Sequence, residues 1–341
     1  MTPVPGRSRT AAVITGLAVV LALAIIAGVG LGAVPISPGE VVGAVGRAIA
    51  GEGSALSDAV VIELRLPRVL LAALVGAALA LAGVLYQALF RNPLADPYIL
   101  GVSSGAGLGA TLAMYALGSS YALRAIGVPA GAFVGAGLTM LLVVRLASRR
   151  GRLDPTSLLL AGMAVSYILS ALTSFVLVSD RESMTSVVFW MMGGLQNRSW
   201  EHVGTLAAML AIGSVVPALY HRELDLMLLG DERAGQLGVS VERFKMVVLA
   251  SASLVVAGAV SVSGLIGFVG LMTPHMVRLA LGPRHRLLLP ASVLAGAIVL
   301  VVADLLARII LAPVEIPVGI VTALAGGPFF LWILLRKERA R

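Results

Sequence analysis

Bond-breaking chemistry needs a nucleophile beside a base, a set of metal ligands or a loop that cradles phosphate. This sequence spaces no residues in any of those ways. Its four histidines, His202, His221, His275 and His285, are scattered without H-E-x-x-H or similar spacing, and there is no cysteine. Cys-ligated metal, iron–sulfur clusters and disulfides are thereby excluded, and no metal site is expected. The only lysines are Lys245 and Lys337, and neither follows a Gly-rich loop. The G-x-x-x-x-G-K-[ST] cradle for a nucleotide phosphate is therefore missing. If ATP drives this protein, ATP and Mg must be bound by another polypeptide, and no cofactor is expected in this chain. Ser103 and Ser104, between Gly101 and Gly105, have no His nearby in sequence and read as packing residues. Asp304 and Arg308 stand four residues apart, the spacing of an ion pair along one helix face. Residues of these kinds hold a structure or a partner, so the chain is not expected to be an enzyme.

The elements that must position them are apolar helices. Of 341 residues, 59% are hydrophobic and 12% charged, and the mean hydropathy is +1.00. A soluble domain carries about 25% charged residues. Half that leaves too little polar surface to cover a soluble particle of this size. Several stretches reach the roughly 18–20 residues that cross a bilayer. The first, from Ala11 to about Val34 behind Arg7 and Arg9, exceeds the roughly 7–15-residue apolar region of a signal peptide and reads as an uncleaved span. Later segments fall at about 69–90, 99–118, 123–146, 157–179, 201–220, 245–265, 267–281, 287–311 and 317–335. The 267–281 piece is short and holds Pro274, His275 and Arg278, which predicts a half-helix buried among its neighbours. The expectation is an all-α integral membrane protein with ten transmembrane helices, forming a single transmembrane domain over 1–341.

The net charge is +8, but its basic residues sit between the apolar segments and form no single patch. They are read as topology and lipid-surface charge, not as a nucleic-acid footprint. With the N-terminus inside, 17 of the 25 Lys and Arg fall inside: Arg7, Arg9, Arg91, Arg145, Arg149, Arg150, Arg152, Arg222, Arg233, Arg243, Lys245, Arg284, Arg286, Arg336, Lys337, Arg339 and Arg341. Seven fall outside: Arg47, Arg65, Arg68, Arg124, Arg181, Arg198 and Arg308. That bias places both termini in the cytoplasm. Blocks 69–179 and 245–335 each carry four segments and begin on opposite sides, the layout of an inverted-topology repeat. Ionisable groups are nearly absent from the spans, which weighs against an ion-coupled transporter.

Two polar stretches and a glycine pattern complete the reading. Residues 35–68 form an outside segment with a helical rhythm at Val41, Val42, Val45, Ala48 and Ile49. Residues 221–244 form the longest inside segment, with glycines at 230, 235 and 238. They predict two short surface helices broken at glycine. The apolar residues Leu224, Leu226, Met227, Leu228, Leu229 and Leu237 mark a docking face. Gly101, Gly105 and Gly109, and again Gly131 and Gly135, make small-xxx-small steps that let helices approach closely.

Six ordered blocks then carry a family resemblance: residues 65–107 (RLPRVLL…GVSSGAG), FWMMGGL at 189–195, LGDERAGQLGV at 229–239, GLIGFVGLMTPHMVRL at 264–279, 288–308 (LLPASVL…ADLLAR) and EIPVGIVTALAGGPFFLWIL at 315–334. From about residue 10 onward the chain resembles the iron-siderophore, haem and vitamin B12 permease family of ATP-binding-cassette importers. The resemblance implies the ten-helix type II importer permease of a bacterial inner membrane. It implies a homodimer with a second copy of the chain, two cytoplasmic ATPase subunits, and a periplasmic or lipid-anchored substrate-binding protein. It assigns Arg65, Arg68 and Arg308 to docking of acidic residues on the binding protein. It assigns Leu226, Leu228, Leu229, Gly230, Asp231, Glu232, Arg233, Ala234, Leu237 and Gly238 to coupling with the ATPase. Asn92 and Leu94 of RNPLADP, with Thr156 and Ser157 of DPTS, match the cytoplasmic gate. Cargo expected on this basis is a ferric siderophore or haem, with cobalamin as the alternative; an ion-coupled secondary transporter is the remaining alternative.

Overall fold

The computed structural model describes residues 7–338 apart from 33, 52–55, 119, 150, 151 and 180. Arg150, Arg339 and Arg341, counted in the charge balance, lie outside the described residues. Within a bilayer no water takes up free backbone groups, so an unpaired apolar segment must be helical. Among the described residues seven helices are long and apolar enough to cross a membrane. They are α1 (Arg7–Gly30), α4 (Leu66–Leu89), α6 (Tyr121–Ala147), α7 (Pro155–Ser179), α9 (Trp200–Leu219), α12 (Val241–Ser263) and α14 (His285–Ile309). Shorter apolar stretches form α5 (Val102–Leu117) and most of α15 (Val318–Glu338), and the short helix α13 (Val269–Leu281) lies between α12 and α14. The connecting elements are α2 (Pro38–Ala50), α3 (Leu56–Ala59), a π-helical turn (Val60–Arg65), α8 (Arg181–Met191), α10 (His221–Met227) and α11 (Asp231–Gln236). A two-residue antiparallel ladder joins Ser148–Arg149 to Arg152–Leu153.

Helix α4 is the axis. It is apolar all round and buried along most of its length, touching α9, α12, α13 and α14. Helices in lipid gain little from the hydrophobic effect and depend on close packing. Two glycine contacts supply it. A Cβ on Gly76 would collide with the Gly296 carbonyl of α14, and one on Gly83 with the Gly270 carbonyl of α13. Polar ties join the same helices: Tyr86 Oη lies 3.1 Å from Ser253 Oγ of α12, and Gln87 donates to the Leu271 carbonyl at 3.2 Å. The predicted small-residue steps meet one another. Gly105 and Gly109 of α5 lie backbone to backbone against Gly135 and Gly131 of α6. Gly101, at φ +80°, instead opens α5 and lies beside Ser166 and Gly162 of α7.

Irregular backbone is buried where helices surround it. Residues 90–101 return into the bundle, so α5 starts at Val102 and is shorter than the predicted segment 99–118. Pro97 reaches Gly270, which also sits against the Leu79 carbonyl in the middle of α4. Residues 264–268 break α12 from α13, with φ of +68° at both Gly264 and Phe268. The Tyr98 hydroxyl donates to the Ile266 carbonyl at 2.9 Å and accepts from the Ile266 N–H at 3.1 Å. Gly194 N–H donates to the Ser263 carbonyl at 2.8 Å, bringing the end of α8 to the same place. The predicted half-helix is α13, and α8 is an element that hydropathy did not predict. The predicted rhythm in 35–68 is α2, opened by a capping box between Ser37 and Glu40.

Candidate functional site

Two ends of the bundle carry the sequence-predicted residues. At one end the chain leaves α1, and the last carbonyls of a helix have no partner within it. Arginines from two other elements take them. Arg65 closes the π turn and donates to the carbonyls of Val29 at 2.9 Å and Val34 at 2.6 Å. Arg308, in the last turn of α14, donates to the carbonyls of Gly28 at 2.7 Å and Leu31 at 3.2 Å. Its Nε lies 3.0 Å from Asp304 Oδ2, the expected pair along one helix face. Arg68, in the first turn of α4, joins the same carboxylate at 2.9 Å and Glu315 at 2.9 Å. Gln196 adds a 3.0 Å bond to Glu315. Arg68 and Arg308 are therefore turned inward, with side chains only 13% and 7% exposed. Carboxylates of this same chain occupy them. Arg65 is half-buried and, among the described residues, donates to the carbonyls of Val29, Gly30 and Val34.

At the other end lie α10 and α11, the two short helices predicted for 221–244. Gly230, at φ +103°, breaks them apart, and Gly238, at φ +91°, follows α11. Only glycine accepts such backbone without strain. The apolar residues divide. Leu224, Met227 and Ala234 are buried against the bundle. Leu228, Leu229 and Leu237 are exposed at 41%, 51% and 59%. Leu226 and Leu237 border a groove of about 380 Å³ with Tyr220, Val239, Phe244 and Val247, rimmed by Glu223 and Arg243. Glu232 and Arg233 are exposed beside it. Asp225 anchors α10 to α14, accepting from the His285 N–H at 2.9 Å and from its ring Nδ1 at 2.7 Å. Burial works against ionisation of Asp225, but the His285 bonds outweigh it and hold the carboxyl below the usual range.

The four residues that the resemblance assigns to a gate lie close by on two loops. Arg91 sits at φ +48°, and Asn92 Oδ1 accepts from the Leu94 N–H at 2.9 Å. This is an Asx turn that leaves Leu94 exposed at 43%. On the second loop Asp154 caps α7, accepting from the Ser157 N–H at 2.8 Å. That bond holds its carboxyl below the usual range. Thr156 is exposed and Ser157 half-buried in this first turn.

One lysine connects both loops to α11. Lys245 Nζ, with its side chain 3% exposed, lies 2.5 Å from Asp231 and 3.5 Å from Glu242. It also donates to the Leu153 carbonyl at 3.2 Å, while Glu242 accepts from the Leu153 N–H at 2.7 Å. Asp231 in turn lies 3.7 Å from Arg91 Nη2. Sequence reasoning assigned Asp231 to a partner and counted Lys245 as a topology charge. It did not foresee Glu242 or Glu315 in either site. The i, i+3 spacing of Glu242 and Lys245 was the only local signal.

Residues 20–336 match the FecCD transport family. A cobalamin import system permease protein, BtuC, of Halobacterium salinarum is 45% identical over 83% of this chain and 75% of its own length. The hemin transport system permease protein HmuU of Yersinia pestis is 42% identical over 82% and 84%. The Fe(3+) dicitrate transport system permease protein FecD of Escherichia coli is 42% identical over 82% and 86%. A solved structure of an inward-facing metal-chelate type ABC transporter superposes with a TM-score of 0.83, at 33% identity, covering 95% of this chain and 98% of its own. The chain, a transmembrane permease, belongs to the FecCD transport family.

Proposed function

We propose that two copies of this chain form the pathway of an ATP-driven importer that moves an iron chelate, a ferric siderophore or haem, into the cytoplasm. In this reading ten segments cross the membrane with both termini inside, and the blocks 69–179 and 245–335 are inverted repeats. The observation that carries it is the exposed leucine face of α10 and α11, joined through Asp231 and Lys245 to both gate loops. Such a face fits an apolar groove on a separate ATPase. A shift of α11 is passed to Arg91, beside Asn92 and Leu94, and to Leu153, beside Thr156 and Ser157.

At the outer end Arg65, Arg68 and Arg308 are the proposed docking set for acidic residues of a binding protein. Among the described residues Arg65 joins no salt bridge and donates to backbone carbonyls. Acidic residues of the binding protein would have to compete with Asp304 and Glu315 for the other two. Cobalamin is the second cargo reading, favoured by the 45% identity to a cobalamin permease. Uptake into proteoliposomes holding the permease and its ATPase, with the binding protein outside, tests both readings. ATP-dependent entry of ferric siderophore or haem supports the first, and entry of cobalamin alone the second. Uptake by the chain alone on a pH gradient would overturn both.

A further inference from the structure

A basic bowl and an apolar groove meet at the inner ends of α9 and α14. The bowl, about 530 Å³, is lined by His221, Arg222, Asp225, Arg284 and Arg286. The three arginines are exposed and join no salt bridge among the described residues. The one carboxylate in the lining, Asp225, is already held by His285. The bowl is thus left with a surplus of positive charge.

The groove, about 390 Å³, continues from it between the two helices. Helix α9 contributes Ser214, Pro217 and Ala218, α10 contributes His221, and α14 contributes Arg286, Leu289, Pro290 and Val293. The α14 residues follow the i, i+3, i+4, i+7 rhythm of one helix face, and the α9 residues its i, i+3, i+4 part. Leu81 of α4 also lines it. From His285 to Val293 the groove follows α14 for about 12 Å at 1.5 Å per residue. Pro217 leaves the Gly213 carbonyl without its helical donor, and Ser251 Oγ supplies one at 2.5 Å. Ser214 Oγ likewise donates to the Leu210 carbonyl at 2.6 Å, so along α9 the wall presents paired polar groups, and the one buried atom of the lining without a partner among the described residues, His285 Nε2, lies at the bowl end.

We propose that this bowl and groove form a binding site for an anionic phospholipid of the cytoplasmic leaflet, its phosphate among Arg222, Arg284 and Arg286 and one acyl chain along α9 and α14. The inference rests on the proposed reading that this end of the bundle faces the cytoplasm. Basic pockets between membrane helices on the cytoplasmic side bind anionic head groups. An acidic rim of a soluble ATPase could meet the arginines, but it could not follow a groove that descends between two spans.

The test is native mass spectrometry of the intact permease in neutral micelles doped with phosphatidylglycerol or phosphatidylcholine. One phosphatidylglycerol per chain should be retained in preference to phosphatidylcholine, and inorganic phosphate should not displace it. Arg284→Ala with Arg286→Ala should weaken retention by about tenfold or more. Ala218→Trp, which fills the groove and spares the arginines, should weaken it as well. Arg284→Lys with Arg286→Lys should restore most of it, separating lost charge from lost folding. Equal retention of the two lipids, displacement by phosphate, or full retention in Ala218→Trp would overturn the lipid site. So would an alanine pair that keeps its lipid but no longer assembles with the ATPase, since the arginines would then serve that subunit.

Discussion

Replacing Lys245 with Met removes the charge that holds Asp231, Glu242 and the Leu153 carbonyl together while keeping the length of the side chain. A fully buried ion pair stripped of one member loses about 3–5 kcal/mol, because the other charge is stranded. Here the stranded groups are not fully buried. Both carboxylates keep 36% exposure and can regain water. Glu242 also retains its 2.7 Å bond from the Leu153 N–H. The cost of burying the ammonium is recovered as well. The balance is about 1–2 kcal/mol, above the roughly 0–1 kcal/mol of an exposed pair and well below that of a buried one. In a chain of this size that lowers the melting temperature by a few degrees, roughly 2–5 °C. The functional effect should be larger. With Lys245→Met, α11 can move without carrying Leu153, so ATP hydrolysis by the assembled complex should persist while cargo delivered per ATP falls severalfold. Lys245→Arg, which keeps the charge, should recover part of the ratio. An unchanged melting temperature with an unchanged transport-to-hydrolysis ratio would show that the lysine is only a topology charge.

Leu228→Asp with Leu237→Asp should abolish assembly with the ATPase or its stimulated hydrolysis, because charges would enter an apolar contact; normal pull-down and hydrolysis would remove the coupling role. Arg65→Glu should slow association with the binding protein and flatten its dependence on salt, since the steering attraction is screened at about 10 Å in 0.1 M salt; rates from surface binding across ionic strength decide this. Arg68→Ala should act mainly on stability, leaving Asp304 buried with one partner fewer, and a melting temperature equal to wild type would contradict that. Asp225 has a lowered folded pKa. Its contribution to stability is therefore present above the unfolded value near 4 and is lost as pH falls through the folded value. The stability difference between wild type and Asp225→Asn, followed by thermal melts, should hold at neutral pH and shrink in acid.

The parts of this fold legible in the sequence are those set by local chemistry. Gly230 and Gly238 mark positive φ, and α10 and α11 lie where those residues place them. Gly105 and Gly109 announce a close approach, though not that Gly131 and Gly135 are its other half. Helix α8 escaped because its sequence, RESMTSVVFWM, has no long apolar run. The re-entry of 90–101 escaped because its support is distant: Tyr98 bonds to Ile266, 168 residues away. The same holds for the arginines. RLPR identifies the position of Arg68, but nothing near it in sequence reveals that Asp304 and Glu315, 236 and 247 residues on, turn its guanidinium inward.

The glycine contacts also bear on how such a bundle can change shape. Where Gly105 and Gly109 meet Gly135 and Gly131, and where Gly76 and Gly83 meet Gly296 and Gly270, backbone rests on backbone. The side-chain atoms at those points are the Thr139 hydroxyl, the Pro97 ring and the Cβ atoms of Thr139, Ala80, Ala113 and Leu300, which leave little freedom to switch rotamers and absorb a tilt. Each seam can only stay closed or come apart, and opening one forfeits many short contacts at once. Helices α5 and α6 therefore travel as one block, and α4, α13 and α14 as another. Helix α12 contacts both blocks, through α6 and through α4, so spin labels or cross-links between α12 and these two helices should record the transport stroke.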